Sequence, residues 1–163
     1  MTCAAFTYRP APRYSNKELT MNTAALRRLD IAARILMSIL FLYSGVGKLM
    51  DPASVATRLT DFGFPVPMLM AYLVTAFELV APIVLIAGYQ VMILSVLLAG
   101  YTVLTALMFH QFWAAAPAQQ AGQSINFLKN LAIAGGFWFV ARTELEFRLS
   151  AGRPVLDPLE SAR

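Results

Sequence analysis

Six polar residues inside or at the ends of otherwise apolar blocks are of types that could do chemistry: Lys48, Glu78, His110, Asn126, Lys129 and Asn130. Glu78 is the most demanding. It sits near the middle of the apolar run Ala71–Gly88, where an ionisable group must be paired, wetted or neutralised and is a functional candidate for that reason. Pro82 follows four residues later and has no N–H to give to the carbonyl of Glu78, so the sequence predicts a kinked helix with acid and freed carbonyl at one level. Asn126, Lys129 and Asn130 recur at i, i+3 and i+4, which puts them on one helical face. An acid able to exchange protons, with cations and amides to hold a polar head, is the chemistry these types offer.

The elements that must position them are membrane spans. About 20 mostly apolar residues cross a bilayer, and four blocks qualify: 30–50, 68–88, 91–113 and 125–141. The expected fold is all-α, an integral membrane four-helix transmembrane bundle with a short interfacial helix between spans one and two. Asp51 caps that short helix and Pro52 starts it. It would carry Val55, Leu59 and Phe62 on one face with Arg58 and Asp61 turned away. Gly88-Tyr89-Gln90 is a tight connection that should make spans two and three an antiparallel hairpin. Residues 114–124 read as a polar, uncharged connection. Ser44, Gly45 and Gly47, and likewise Ala132 and Gly136, offer small-residue edges for close helix approach. The expected organisation is a polar tail over 1–28, disordered or loosely surface-bound through 25, a membrane domain over 29–142, and a charged tail over 143–163.

The net charge of +4 does not point to nucleic acid, because of where the charges lie. Arg9, Arg13, Lys17, Arg27 and Arg28 precede the first span, and Arg142, Arg148, Arg153 and Arg163 follow the fourth. The longer connections hold only Arg58. The positive-inside rule then places both termini in the cytoplasm and residues 51–67 and 114–124 outside. Met1–Arg28 lacks the apolar core of a cleaved signal, so span one is expected to serve as its own insertion signal. Cys3 stands alone, without a disulfide partner or a Cys/His cluster, and one His with one Glu at different depths does not make a metal site.

With that topology all four spans contribute a polar group to the outer half of one bundle. At 1.5 Å per residue Glu78 is ~15 Å from the outer boundary and Lys129 ~6 Å. Plainer readings stand beside this one. Lys48 and Lys129 can snorkel to headgroups, His110 can be an interfacial histidine, the asparagines can bond helices together, and Glu78 can be a structural acid.

Several motifs carry a family resemblance. Lys48 closes a Ser-Gly-x-Gly-Lys end with Asp51-Pro52 after it, Gly63-Phe-Pro65 precedes span two, and Glu78-Leu-Val then Gly88 follow. Phe109-His110-Gln-Phe-Trp113 and Asn126-Phe-Leu-Lys129-Asn130-Leu-Ala-x-Ala-Gly135-Gly136 complete the order. Over about residues 28–140 the chain resembles the DoxX family, departing from it at Ala81-Pro82, where a glycine pair is usual, and after Gly88, where an arginine is usual. The resemblance implies a four-helix protein of the bacterial inner membrane. The family is named for a subunit linked to a thiosulfate:quinone oxidoreductase, and relatives are associated with redox and thiol-stress complexes or act in assembly.

The leading expectation is an accessory or quinone-linked subunit of a membrane redox complex, an enzyme only as part of a quinone-linked oxidoreductase. In it Glu78, His110 and Lys129 are catalytic and Lys48, Asn126 and Asn130 bind ligand. His110 and Lys129 would contact a quinone oxygen or an anionic substrate, the asparagines would orient them, and Glu78 would exchange protons. The sequence has no haem ligand pair, cluster motif or dinucleotide fingerprint to hold electrons, so quinone as cofactor and a redox partner subunit, or a second copy of the chain, are implied beside the lipid bilayer. The alternatives are a non-enzymatic assembly or partner protein and, further off, a small proton-coupled carrier with its carboxylate beside a broken helix.

Overall fold

The computed structural model describes the backbone of residues 16–152 and the side chains of residues 24–152. The chain forms five helices: α1 (Asn16–Met50), α2 (Pro52–Asp61), α3 (Pro67–Ile86), α4 (Val91–Phe109) and α5 (Pro117–Ser150). Among the described residues there is no strand. Three helices are long and apolar enough to cross a membrane: the Ala24–Met50 part of α1, then α3 and α4. The expected fourth span, 125–141, lies within α5, but Asn126, Lys129 and Asn130 dilute its apolar character and α5 is not among the three.

Helix boundaries differ from the sequence expectation in three places, each for a local reason. α1 begins at Asn16, inside the stretch expected to be an unstructured tail. Residues 16–28 contain no Gly or Pro and extend a helix that the span has already nucleated. Residues 1–15 and 153–163 of the two expected tails lie outside the described residues. α4 stops at Phe109 rather than Trp113, because His110 leaves helical geometry as its C-cap (φ −124°). α5 starts at Pro117, so most of the expected loop over 114–124 is helix, opened by a proline at its first position and continued by Ala and Gln.

Packing follows a ring. α1 lies along α3 and α4 along α5, with narrower contacts joining α3 to α4 and α1 to α5; the α1 and α4 backbones do not approach each other. The α3–α4 turn is short as expected, with Gly88 at φ 83°, a conformation glycine tolerates. The two arms nevertheless find their main partners elsewhere: α1 for α3, α5 for α4. One reason α3 approaches α1 so closely is Gly45, where an added Cβ would fall 2.8 Å from Leu79 Cδ2. Gly136 is similarly covered by Met37 of α1, whereas Ala132 and Gly47 are exposed, and a Cβ at Gly47 would meet nothing within 4 Å. Between the helices Phe137 meets Phe41 edge-on at 5.4 Å, within a core that includes Leu85, Val91 and Leu98.

Charges lock the end of the bundle that holds the α3–α4 turn. Arg34, about one turn inside the first apolar block, turns inward: its Nη2 donates to Glu144 Oε2 at 3.1 Å, and Arg148 Nε donates to Glu144 Oε1 at 3.0 Å. All three side chains are mostly buried. The Arg34 guanidinium also lies beside Gly88, near the carbonyl end of α3 where a cation is favoured. Arg27 sits over the Phe147 ring at 5.2 Å. Replacing Glu144 by Gln leaves two arginines side by side without their counter-charge. Thermal unfolding in detergent should register a loss of about 1–3 kcal/mol, the cost of a buried charged group losing its partner, whereas Glu146→Gln, on an exposed pair, should stay within ~0.5 kcal/mol.

Candidate ligand site at the α2 end of the bundle

At the other end α2 folds back onto α3. Asp51 caps it by accepting from the Ser54 N–H at 3.1 Å, and Ala56 and Leu59 bury against Ala71. Phe62 follows and packs edge-on against Phe109 of α4 at 5.2 Å. α2 thereby roofs a cavity of about 640 Å³ walled by α1, α3 and α4. That volume falls in the range of small-molecule sites.

Lys48, Glu78 and Tyr101 form the polar floor. Side chains on a helix lean toward its N-terminus, and α1 and α3 run antiparallel, with Ser38 against Pro82 and Gly45 against Glu78. Lys48 therefore leans down from the end of α1 while Glu78 leans up from the middle of α3, and they meet. The Lys48 ammonium uses three donors: to Ser44 Oγ at 2.6 Å, Glu78 Oε1 at 2.7 Å and Glu78 Oε2 at 2.6 Å. Tyr101 of α4 donates its hydroxyl to Glu78 Oε1. The carboxylate is only 3% exposed, and the ion pair with a phenol beside it answers the desolvation that would otherwise forbid it there. Phe77 and Phe41 flank the Tyr101 ring, at 5.2 and 6.2 Å, and fix its direction.

The six sequence candidates separate. Lys48 and Glu78 join in the ion pair, and His110 and Asn130 line the cavity higher up. His110 Nδ1 also hydrogen-bonds Gln123 Oε1 at 3.0 Å, tying the end of α4 to α5. Lys129 and Asn126 are not among the cavity residues. Lys129 Nζ donates to Asn126 Oδ1 at 3.0 Å on an exposed part of their own helix. The partner that reaches Glu78 is Lys48, from α1, rather than Lys129. Arg58, expected to face away, lines the cavity at its mouth with Asp51.

Sequence reasoning missed Tyr101, although a signal for it exists. Glu78 lies ten residues before Gly88 and Tyr101 ten residues after Val91, so equal counts down the two arms of the hairpin bring them level. Ser44, singled out only for its small size, is also a Lys48 partner. Among the described residues no group of His, Cys, Asp or Glu gathers as a metal site would require.

Comparison with known proteins is consistent with this reading of an apolar helical chain. The DoxX family model matches residues 29–111. Inner membrane protein YphA of Escherichia coli (strain K12) is 33% identical over 120 residues, which is 74% of this chain and 86% of that protein. Inner membrane protein YqjF of the same organism is 35% identical over 113 residues, 69% of this chain and 82% of that protein. No solved structure matches the chain at a significant level.

Proposed function

The chain belongs to the DoxX family, and on that premise we propose that it is a bacterial inner-membrane protein whose cavity binds a neutral, membrane-soluble quinone on behalf of a redox partner. Two relatives named as inner membrane proteins support the location. In this reading α5 supplies a fourth span, its Asn126–Asn130 turn lying near the outer surface. Both termini are cytoplasmic, since Arg27, Arg34, Arg142 and Arg148 gather at one end of the bundle.

The observation that carries the ligand class is the neutral floor. Lys48 and Glu78 cancel each other, so a charged guest would enter a low-dielectric site without a counter-charge. A neutral guest with a carbonyl or hydroxyl oxygen can be served by exchange: a Lys48 N–H or the Tyr101 O–H, which donate to Ser44 and Glu78 in this structure, would turn to it, and Glu78 would accept from a hydroxyl. Quinone reduction takes up two electrons and two protons. A partner supplies the electrons, and the two protons come from water at the polar mouth of the cavity, with the Glu78 carboxylate and the Tyr101 hydroxyl placed to relay them to the quinone oxygens. His110 and Asn130 orient the head from above, while Lys129 and Asn126 stay outside.

A binding titration of detergent-purified protein with duroquinone, a benzoquinone without a chain, tests this. Tyr101→Phe removes one hydrogen bond at the floor and should weaken binding roughly 5- to 30-fold, while Lys129→Ala should leave it unchanged. Equal binding by wild type and Tyr101→Phe would remove the floor from the site. An assembly or partner role is the second reading, favoured by the exposed Lys129–Asn126 pair at the same end. Lysine substitution that abolishes partner capture while quinone binding is absent in the wild type would put that role first.

A further inference from the structure

The cavity has an aliphatic side as well as a polar floor. Leu40 of α1 and Leu104 of α4 belong to its wall, yet they are 43% and 54% exposed at the protein surface. Both stand below the rim. Leu40 is ten residues before Met50 and Leu104 five before Phe109, hence ~15 Å and ~8 Å down from the ends of their helices. At that depth α1 and α4 meet only through side chains, the Phe41 and Tyr101 rings at 6.2 Å among them, because their backbones do not approach each other and α5 contributes only Asn130 to the lining. The contacts that draw α1 to α5 begin at Phe41–Phe137, level with Leu40, and continue toward the other end at Met37–Gly136 and Arg34–Glu144. The rim facing water is different in kind: Asp51, Arg58 and His110 are polar or charged. One cavity thus has a charged mouth and an aliphatic flank at acyl-chain depth.

We propose that the flank at Leu40 and Leu104 is a subsite for the apolar chain of the ligand whose head rests on Lys48, Glu78 and Tyr101, and that the ligand loads sideways from the bilayer. This rests on the quinone reading and extends it from a head to a tailed molecule. A long polyprenyl chain exceeds what is left of about 640 Å³ once the head is seated at Glu78, so its far end must leave the cavity. Leaving through the mouth would carry it past three polar groups into water, whereas the flank opens on hydrocarbon. Burial of each chain methylene contributes favourably only on the second path.

Two probes and one double variant test it, in lipid nanodiscs. Duroquinone reports on the head alone, and decylubiquinone adds a ten-carbon chain. Leu40→Trp with Leu104→Trp narrows the flank without touching the floor. The expected result is that the wild type binds decylubiquinone at least tenfold more tightly than duroquinone, and that the double variant keeps duroquinone binding but loses this advantage. Retained duroquinone binding shows that the variant is folded with its floor intact. If the double variant takes decylubiquinone as tightly as the wild type does, the chain runs elsewhere and the subsite is overturned while the quinone site stands. A wild type that binds the two probes equally has the same consequence. If the wild type binds neither, the quinone reading falls and the subsite falls with it. Should Leu40→Ala with Leu104→Ala abolish duroquinone binding, the two leucines act on the head rather than the chain, and the subsite is again overturned.

Discussion

Replacing Lys48 by Met should destabilise the protein by about 3–5 kcal/mol, the largest loss of any single substitution at this site, because it strands a buried carboxylate. Glu78 is 3% exposed and both of its oxygens accept from Lys48, so the Tyr101 hydroxyl alone would remain to hold the charge. The reverse change is milder. Glu78→Gln keeps two polar atoms at the floor, and the Lys48 side chain, 26% exposed, is near enough to the end of α1 to swing toward headgroups. A coupled pair makes a further demand: Lys48→Met with Glu78→Gln should be more stable than Lys48→Met alone, since the uncompensated charge is gone. Thermal unfolding of the three variants in one detergent measures this. Additive losses would mean that the two residues do not act as a pair.

Gly45→Val should cost about 1–3 kcal/mol by overpacking and should also weaken ligand binding. A Cβ at Gly45 would lie 2.8 Å from Leu79 Cδ2, 2.9 Å from Leu79 Cγ and 3.3 Å from Glu78 Cβ. Leu79 can turn its side chain aside, but Glu78 Cβ is fixed to the α3 backbone and gives only if α1 and α3 part by a few tenths of an ångström at the level where Lys48 must reach Glu78, so one substitution strikes both the packing and the floor. Gly47, two residues nearer the end of α1, is the control. A Cβ there meets nothing within 4 Å, and Gly47→Ala should be neutral or stabilise α1 by up to ~1 kcal/mol through helix propensity. Comparable losses at both glycines would contradict the account of how the helices meet.

Much of this arrangement is legible in the residues themselves. The apolar blocks announce α1, α3 and α4, Asp51-Pro52 announces α2, and a carboxylate amid apolar neighbours announces the site. What the sequence leaves open is which partner reaches it. Depth along the helices leaves both Lys48 and Lys129 on the same side of Glu78, and side-chain lean decides between them. On α1 the lean carries Lys48 down to the acid, whereas Lys129 stays on the exposed face of its own helix with Asn126. Tyr101 was hidden for another reason: a phenol in an apolar span has the pattern of core, and only the register of the hairpin reveals that it faces Glu78. α5 shows the limit of hydropathy as a guide. Its polar first turns lower the apolar average of a helix whose later half, at Ala134, Phe137, Val140 and Ala141, is buried like its neighbours.

The measurement that tests the central claim most directly is native mass spectrometry of the protein released gently from its own membranes, with wild type, Glu78→Gln and Tyr101→Phe compared. The account predicts near-stoichiometric quinone on the wild type, reduced on Tyr101→Phe and largely lost on Glu78→Gln, with Lys129→Ala like the wild type. Wild-type protein that carries no quinone, or quinone that persists unchanged on both floor variants, would contradict it.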